Sequence, residues 1–373
     1  MPSERVSAHV AGVVTRPPGW ELARQLVLRF GWNAVAYQIL NPGMRLWFSR
    51  EGDAVAGYAS FRGIWVVAGA PVCAHERLDA VAAELETDAA ERGREVLFFG
   101  AGERLETVFA ERGDHCLVPL GAQPVWAPAA WPSIVRGKAS LRAQLHRARN
   151  KHVVVEEWPP ERARASPALR SVLQEWLRTR GLPPLGFLVQ PDLLDNLDDR
   201  RIFVASRGDD VLAFLIGTPV PARDGWLVEE WPRRRSAPNG TTHSLVDAAM
   251  LAFALGGARY ATLGLAPLAE RGGSGLGGQP AWLRIALRWV RAHGRRFYNF
   301  RGLEAFKASM QPMDWEPIFA IAPGERIEPR MLHAVAGAFS GGSPERLLAR
   351  AMLSAATEEA RRLGGFLGRW KRG

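Results

Sequence analysis

The chain has 373 residues, enough for two domains at roughly one per 100–200 residues; with 47% hydrophobic and 23% charged residues it is not a disordered or fibrous protein. Its formal charge of +10, carried mostly by arginine, gives a pI near 10.4 and suits a polyanionic partner, although a general richness in Arg and Ala explains the same charge. Cys73 and Cys116 are too few for a disulfide framework, and the eight histidines fall into no ligand spacing, so no metal and no cofactor is expected.

Residues 1–18 lack an apolar signal core. The first helical pattern runs over residues 20–40, with Leu22, Leu26, Val27 and Phe30 on one face. Residues 45–49, 54–61 and 64–68 read as three short strands separated by the turns at 51–53 and 62–63. A helix over 78–92 stops at Gly93, a strand follows over 95–100, and a helix over 104–112 stops at Gly113. Residues 116–120 and 124–127 read as extended.

A second unit repeats this order. A helix is predicted over 169–179, strands over 201–207, 211–220 and 225–231, and a helix over 241–255 that ends at Gly256-Gly257. A strand over 260–264, a helix over 280–293 and a last strand over 319–322 follow. The longest apolar helical run, around 248–257, is well short of the roughly 18 residues that cross a bilayer, so a cytoplasmic chain, at most peripheral to a membrane, is expected.

Between the units no Asp or Glu occurs from His115 to Val155. Residues 136–152 read as a basic helix capped at Ser140, with Leu141, Leu145 and Ala148 on one side and Arg142, His146 and Arg149 on the other. Exposed helices normally carry acid–base pairs four residues apart, so an acid-free helix points to phosphate contacts through Arg142, Arg147, Arg149 and Lys151, or to a solvated linker. The tail from 343 is amphipathic and basic. It would either dock on the fold or lie on an anionic membrane. The expected divisions are 1–135, 136–152, 153–325 and 326–373.

Four segments of the second unit carry chemistry. Glu229-Glu230-Trp231-Pro232-Arg233 places carboxylates and a guanidinium at a strand end, able to hold an ammonium and a phosphate, or else to pair with each other at the surface. Asn239-Gly240-Thr241-Thr242-His243 leads into a helix N-terminus, where free amides and the helix dipole favour an anion; Asp247 lies one turn on. Leu263-Gly264-Leu265-Ala266-Pro267 leaves a strand ahead of the glycine-dense loop 271–278, which lacks the Lys-Ser/Thr of a phosphate-binding loop. Arg301 and Lys307 belong to the apolar run Phe300-Arg301-Gly302-Leu303-Glu304-Ala305-Phe306-Lys307, where a lysine is held partly desolvated or stands exposed on a helix.

These segments resemble, in order, those of the bacterial phosphatidylglycerol lysyltransferase family. The likeness is carried by the Phe306-Lys307 to Trp315-Glu316-Pro317 ending, Leu263-Gly264-Leu265-Ala266-Pro267-Leu268, the Pro238-Asn239-Gly240 turn with its helix, Glu230 to Arg233, and the basic helix. The chain departs at Gly69-Ala70-Pro71, where the family has Gly-Asp-Pro, and at Glu230, where it has Asp. The resemblance covers about residues 35–322 and implies tandem GNAT-like α/β domains joined by the basic helix. It further implies transfer of an amino acid from aminoacyl-tRNA to a lipid or small-molecule hydroxyl or amine. On that reading Glu230, Arg233, Lys307 and Asp247 are catalytic, Asn239, Gly240, Thr241, His243 and Arg301 bind substrate, and the basic helix binds tRNA. The flippase part of membrane-bound members is not matched. Because the 239–242 turn lacks the second glycine of an acetyl-CoA pyrophosphate loop, acyl-CoA N-acyl transfer is the alternative activity. Non-catalytic binding of tRNA or a membrane surface is the alternative from another class.

Overall fold

The computed structural model describes residues 16–179, 187–188, 193–228, 230–269 and 300–341. In chain order the first half holds α1 (Trp20–Phe30), β1 (Arg45–Phe48), β2 (Val55–Phe61), β3 (Ile64–Ala68), α2 (Leu78–Glu91), β4 (Glu95–Ala101), α3 (Glu103–Arg112) and β5 (His115–Trp126). The connection is two short helices, α4 (Trp131–Gly137) and α5 (Ala139–Asn150). The second half holds β6 (Val154–Trp158), α6 (Pro160–Ala165), α7 (Pro167–Arg178), β7 (Arg201–Arg207), β8 (Asp210–Val220), β9 (Gly225–Val228), α8 (Thr241–Leu255) and β10 (Tyr260–Thr262). Then come β11 (Ala266–Pro267), α9 (Phe300–Ser309), β12 (Asp314–Pro323) and α10 (Pro329–Phe339).

Local sequence explains most of these boundaries. Gly113 ends α3 at φ 72°, a conformation without penalty only for glycine. The Ser166 hydroxyl caps α7 by accepting from the Leu169 amide at 3.3 Å, with Pro167 at the first helical position, where its missing N–H costs nothing. The alternating strands bury side chains on both faces of the sheet. In β3, Trp65 and Val67 enter the core under α2 and α3, while Ile64 and Val66 enter the one under α10.

All strands join one sheet in the order β1-β2-β3-β4-β12-β5-β10-β9-β8-β7-β6, with β11 added to β5. Two pairs, β3 with β4 and β9 with β10, are parallel; the other pairs are antiparallel. This is the tandem GNAT-like α/β architecture, and its halves exchange their closing strands. β5 leaves the first half to pair with β10, and β12 returns to lie between β4 and β5.

The last strand, expected over 319–322 within a unit ending at 325, is therefore longer and completes the first half's sheet instead. The apolar alternation of β12 suits that place: Ile321 packs under α2 and α3, and Ala320 and Ala322 pack under α10. The expected extended pieces 116–120 and 124–127 are one strand, bent at Gly121. A Cβ there would stand 2.3 Å from the Ala266 carbonyl, so only glycine lets β11 approach. Of the 326–373 segment, α10 docks on β2 and β3 through Met331, Ala334 and Ala338; residues 342–373, with the expected basic tail helix, lie outside the described residues. So do the expected helix 280–293 and the loop 271–278.

A polar cluster sits where the halves meet. Arg223, following β8, donates to Glu316 of β12 at 2.9 and 2.5 Å. Gln123 of β5 and the Tyr260 hydroxyl of β10 donate to the same carboxylate at 2.9 and 3.2 Å. The Arg223 guanidinium lies 3.6 Å from the centre of the Tyr260 ring. Burial alone would raise the Glu316 pKa, but Arg223, with the Gln123 and Tyr260 hydrogen bonds, outweighs it and holds the carboxyl below its ordinary range. Both side chains are about one-fifth exposed, at 17% and 22%.

Glu316→Ala removes the only acid from this cluster and strands Arg223. The expected cost is roughly 3 kcal/mol, the low end for breaking a buried pair, read as a lower urea midpoint at unchanged slope. Because the folded Glu316 pKa is depressed, its contribution is full above the ordinary glutamate range and is lost as pH falls through the folded value. The stability gap between wild type and variant should therefore shrink on acidification below about pH 4.

Candidate functional site

Beyond β9 the chain continues along β8. The Phe214 amide donates to the Pro232 carbonyl at 3.0 Å, the Arg234 amide to that of Leu212 at 2.8 Å, and Ala213 bridges Arg233. Arg234 is used structurally, paired with Glu175 of α7 at 3.0 Å. That leaves Glu230 half-buried at the head of the segment and Arg233 exposed on it.

The turn Pro238-Asn239-Gly240 then opens α8. Asn239 is exposed, and Gly240 adopts φ 96° pressed against α5, where a Cβ would meet the Gln144 carbonyl at 2.2 Å. Thr241 is buried and its hydroxyl donates to the Pro238 carbonyl at 2.8 Å, so its side chain braces the turn and is not offered to a ligand. Among the described residues the amides of Thr242 and His243 have no acceptor. They carry the positive end of a 15-residue helix dipole.

Aromatic rings wall this terminus. The His243 imidazole meets the Phe306 ring edge-on at 5.3 Å, and Trp231 packs on the same ring at 5.5 Å. Burial, assisted by the Arg233 charge, pushes the His243 pKa below its ordinary value, so the ring is neutral at pH 7. A neutral imidazole is a proton acceptor.

Phe306 brings its neighbour Lys307, which is 2% exposed. The Lys307 ammonium donates to the Gly264 and Leu265 carbonyls, both at 2.8 Å, where the chain leaves β10 and Gly264 turns at φ 71°. The exposed-lysine reading is excluded. Through these two hydrogen bonds Lys307 ties α9 to the strand exit.

Three sequence expectations meet a different arrangement in the structure. Asp247, expected to be catalytic, accepts from Trp131 Nε1 of α4 at 2.8 Å. Burial raises its pKa, Trp131 and the Arg149 charge oppose that, and it serves the seam between α4 and α8. Arg142, read as a phosphate ligand, donates to the Val135 carbonyl at 3.4 Å and to the Arg136 carbonyl, closing the C-terminus of α4. Arg147, Arg149 and Lys151 are exposed at the C-terminal end of α5, while Leu141, Leu145 and Ala148 bury its other face. The cap residue of α5 is Lys138, not Ser140, and no side chain caps the helix. Arg301 lies in α9, and its side chain is outside the described residues.

The Trp231–Phe306–His243 wall and the Trp131 partner of Asp247 escaped the sequence reading. The aromatic residues stand out in sequence, but their mutual contacts join segments far apart along the chain. Among the described residues no cluster of three or more His, Cys, Asp or Glu is arranged to hold a metal, and no helix is long and apolar enough to cross a membrane.

The fold is a tandem GNAT-like α/β architecture. The family model described as "Phosphatidylglycerol lysyltransferase, C-terminal" matches residues 24–322, and the chain belongs to that family. A phosphatidylglycerol lysyltransferase of Bacillus subtilis (strain 168) is 25% identical over 289 residues, which is 76% of this chain; the chain spans about a third (33%) of that relative's length. The C-terminal domain of a putative lysylphosphatidylglycerol synthetase from Agrobacterium fabrum has the same fold, with TM-score 0.73 and 21% identity over 87% of this chain and 97% of that one. L-PGS from Bacillus licheniformis gives TM-score 0.70 and 20% identity over 88% and 99%.

Gly240→Ala tests how α8 is seated. It forces both a positive φ and a clash with backbone, so it should cost more than the roughly 1–3 kcal/mol of backbone strain alone. A thermal melt within 2–3 °C of wild type would show that α8 does not depend on this close approach to α5.

Proposed function

We propose that the chain moves an amino acid from aminoacyl-tRNA onto a hydroxyl of a phosphatidylglycerol-type lipid. The observation that carries this reading is one constellation: two unoccupied amides at the α8 N-terminus, a neutral His243 beside them, and the Lys307 charge fixed next to Phe306. Transfer between esters needs little activation of the donor. It needs an oriented hydroxyl, a proton acceptor and stabilisation of the oxyanion that forms.

In this mechanism the acceptor oxygen attacks the aminoacyl carbonyl while His243 takes its proton. The Thr242 and His243 amides, backed by the helix dipole, hold the tetrahedral oxyanion. Collapse breaks the ester to the terminal ribose, and His243 returns the proton to the leaving oxygen. Glu230 holds the aminoacyl ammonium. Arg233 holds a phosphate of the acceptor or of the tRNA end. Lys307 acts through its fixed charge and by positioning the β10 exit. The exposed Arg147, Arg149 and Lys151 take the tRNA backbone.

The direct test is incubation with a pool of charged tRNAs and phosphatidylglycerol vesicles, followed by mass spectrometry of the lipids. An aminoacyl-lipid that appears only with charged tRNA supports the reading; lipid mass spectra unchanged with every charged tRNA overturn it. Glu230→Gln should lower kcat/KM about 10-fold or more, a barrier change of about 1.4 kcal/mol. The pH–rate profile should fall on its acid side with an apparent pKa below about 6.5, and His243→Gln should remove that limb together with most of the activity.

Arg147→Gln/Arg149→Gln/Lys151→Gln should weaken tRNA binding and reduce the slope of log K against log salt by about 2–3, at about 0.7–0.9 per lost phosphate contact. An unchanged slope would place tRNA elsewhere on the protein.

A further inference from the structure

The side chains of β10 divide the second half into two faces. Ala261 faces the core under α8, and Tyr260 faces the opposite side with Ala34, Val125 and Leu227. A small cleft, open to solvent, lies beyond the carboxyl ends of the parallel strands β3 and β4. In α/β sheets the carboxyl ends of parallel strands are the usual seat of a ligand. A second, shallower hollow shares its Trp32, Asn33 and Gly102 walls and runs to Arg223 and Glu316 at the seam.

The walls are mostly apolar, with Phe30, Ala70, Val72 and Leu105 among them, and one side is cationic. Two guanidiniums stand on the Trp32 indole, Arg104 at 4.4 Å and Arg223 at 4.6 Å from its centre. They differ in one respect. Arg223 is spent on Glu316, whereas among the described residues Arg104 donates no hydrogen bond and makes no ion pair. Glu76 and Glu103 are exposed nearby and do not reach it. Burial and the like charge of Arg223 both disfavour the charged form of Arg104. A guanidinium stacked by its face keeps its edge N–H groups for an oxyanion in the plane.

We infer that this cleft binds a small amphipathic oxyanion, an apolar body of a few carbons ending in a phosphate or carboxylate that Arg104 takes edge-on over Trp32. The cleft is lined by no residue of α8, of α9 or of the turn before α8, so either reading can fail without the other.

Isothermal titration of the full chain with hexyl phosphate, hexanoate, hexan-1-ol and inorganic phosphate tests it. One or both amphipathic anions should bind at one per chain, inorganic phosphate at least 10-fold more weakly, and hexan-1-ol not at all. The tighter of the two anions identifies the head group. Arg104→Gln should weaken binding at least 10-fold, and Ala70→Leu, which fills the cleft from a half-exposed wall, should abolish it even if the arginine variant fails to fold. No heat of binding from either anion at millimolar concentration, or binding untouched by Ala70→Leu, would overturn the inference.

Discussion

The antiparallel pairing of β5 with β12 is the constraint on which the rest of the molecule depends. Each strand comes from one half of the chain and closes the sheet of the other. Without β12 the edge of β4 is open; without β5 the edge of β10 is open. An unpaired edge in the middle of a sheet leaves buried amides and carbonyls without partners, each costing about 1–3 kcal/mol. The halves are therefore not separable units joined by a tether. The Arg223–Glu316 pair, with Gln123 and Tyr260, sits on this seam, and it supplies register more than raw stability. A charge pair in that setting roughly breaks even against apolar packing, but a slip of β12 by one residue would turn Glu316 to the other face and strand Arg223.

The same crossing places the proposed chemistry. β12 follows directly on α9, so the strand that closes the first half also fixes the helix that carries Phe306 and Lys307. The Trp126 indole of β5 donates to the Met310 carbonyl at 3.1 Å just beyond that helix, clamping it from the other exchanged strand. With α9 held at both places, Lys307 reaches the two carbonyls at the β10 exit. An ammonium taken out of water is tolerated only with such partners, so its burial reports a tightly determined local geometry.

Much of this was legible in the sequence because it is local. The glycine stops after α2 and α3, the alternation in β2 and β3, and the Pro-Asn-Gly entry to α8 each depend on neighbours within a few residues. So does the desolvation of Lys307, which follows Phe306 in one apolar run. What was not legible is what depends on pairing at a distance. The Trp315-Glu316-Pro317 ending reads as part of a site, yet its glutamate is the acid of the inter-half seam. Its tryptophan packs with Ala122 and Ala266. Arg142 and Asp247 have the right chemistry for tRNA and catalysis; only the packing of α4 against α5 and α8 reveals that a helix terminus and an indole claim them.

The two faces of the sheet then take different physical characters from one backbone. On the α8 side the free donors are main-chain amides at a helix end, whose field is fixed and does not titrate, beside an imidazole that burial keeps neutral. That combination suits charge that appears and disappears during a reaction, because the dipoles need no reorganisation when it forms. On the Trp32 side the donor is a permanently charged guanidinium in an apolar recess, which suits an anion that is already there and stays. Since β5 and β12 run through both faces, a ligand seated against Trp32 and Arg223 would press on the strands that hold α9 in place. That shared seam is a physical route by which occupancy of the second face would bear on the first.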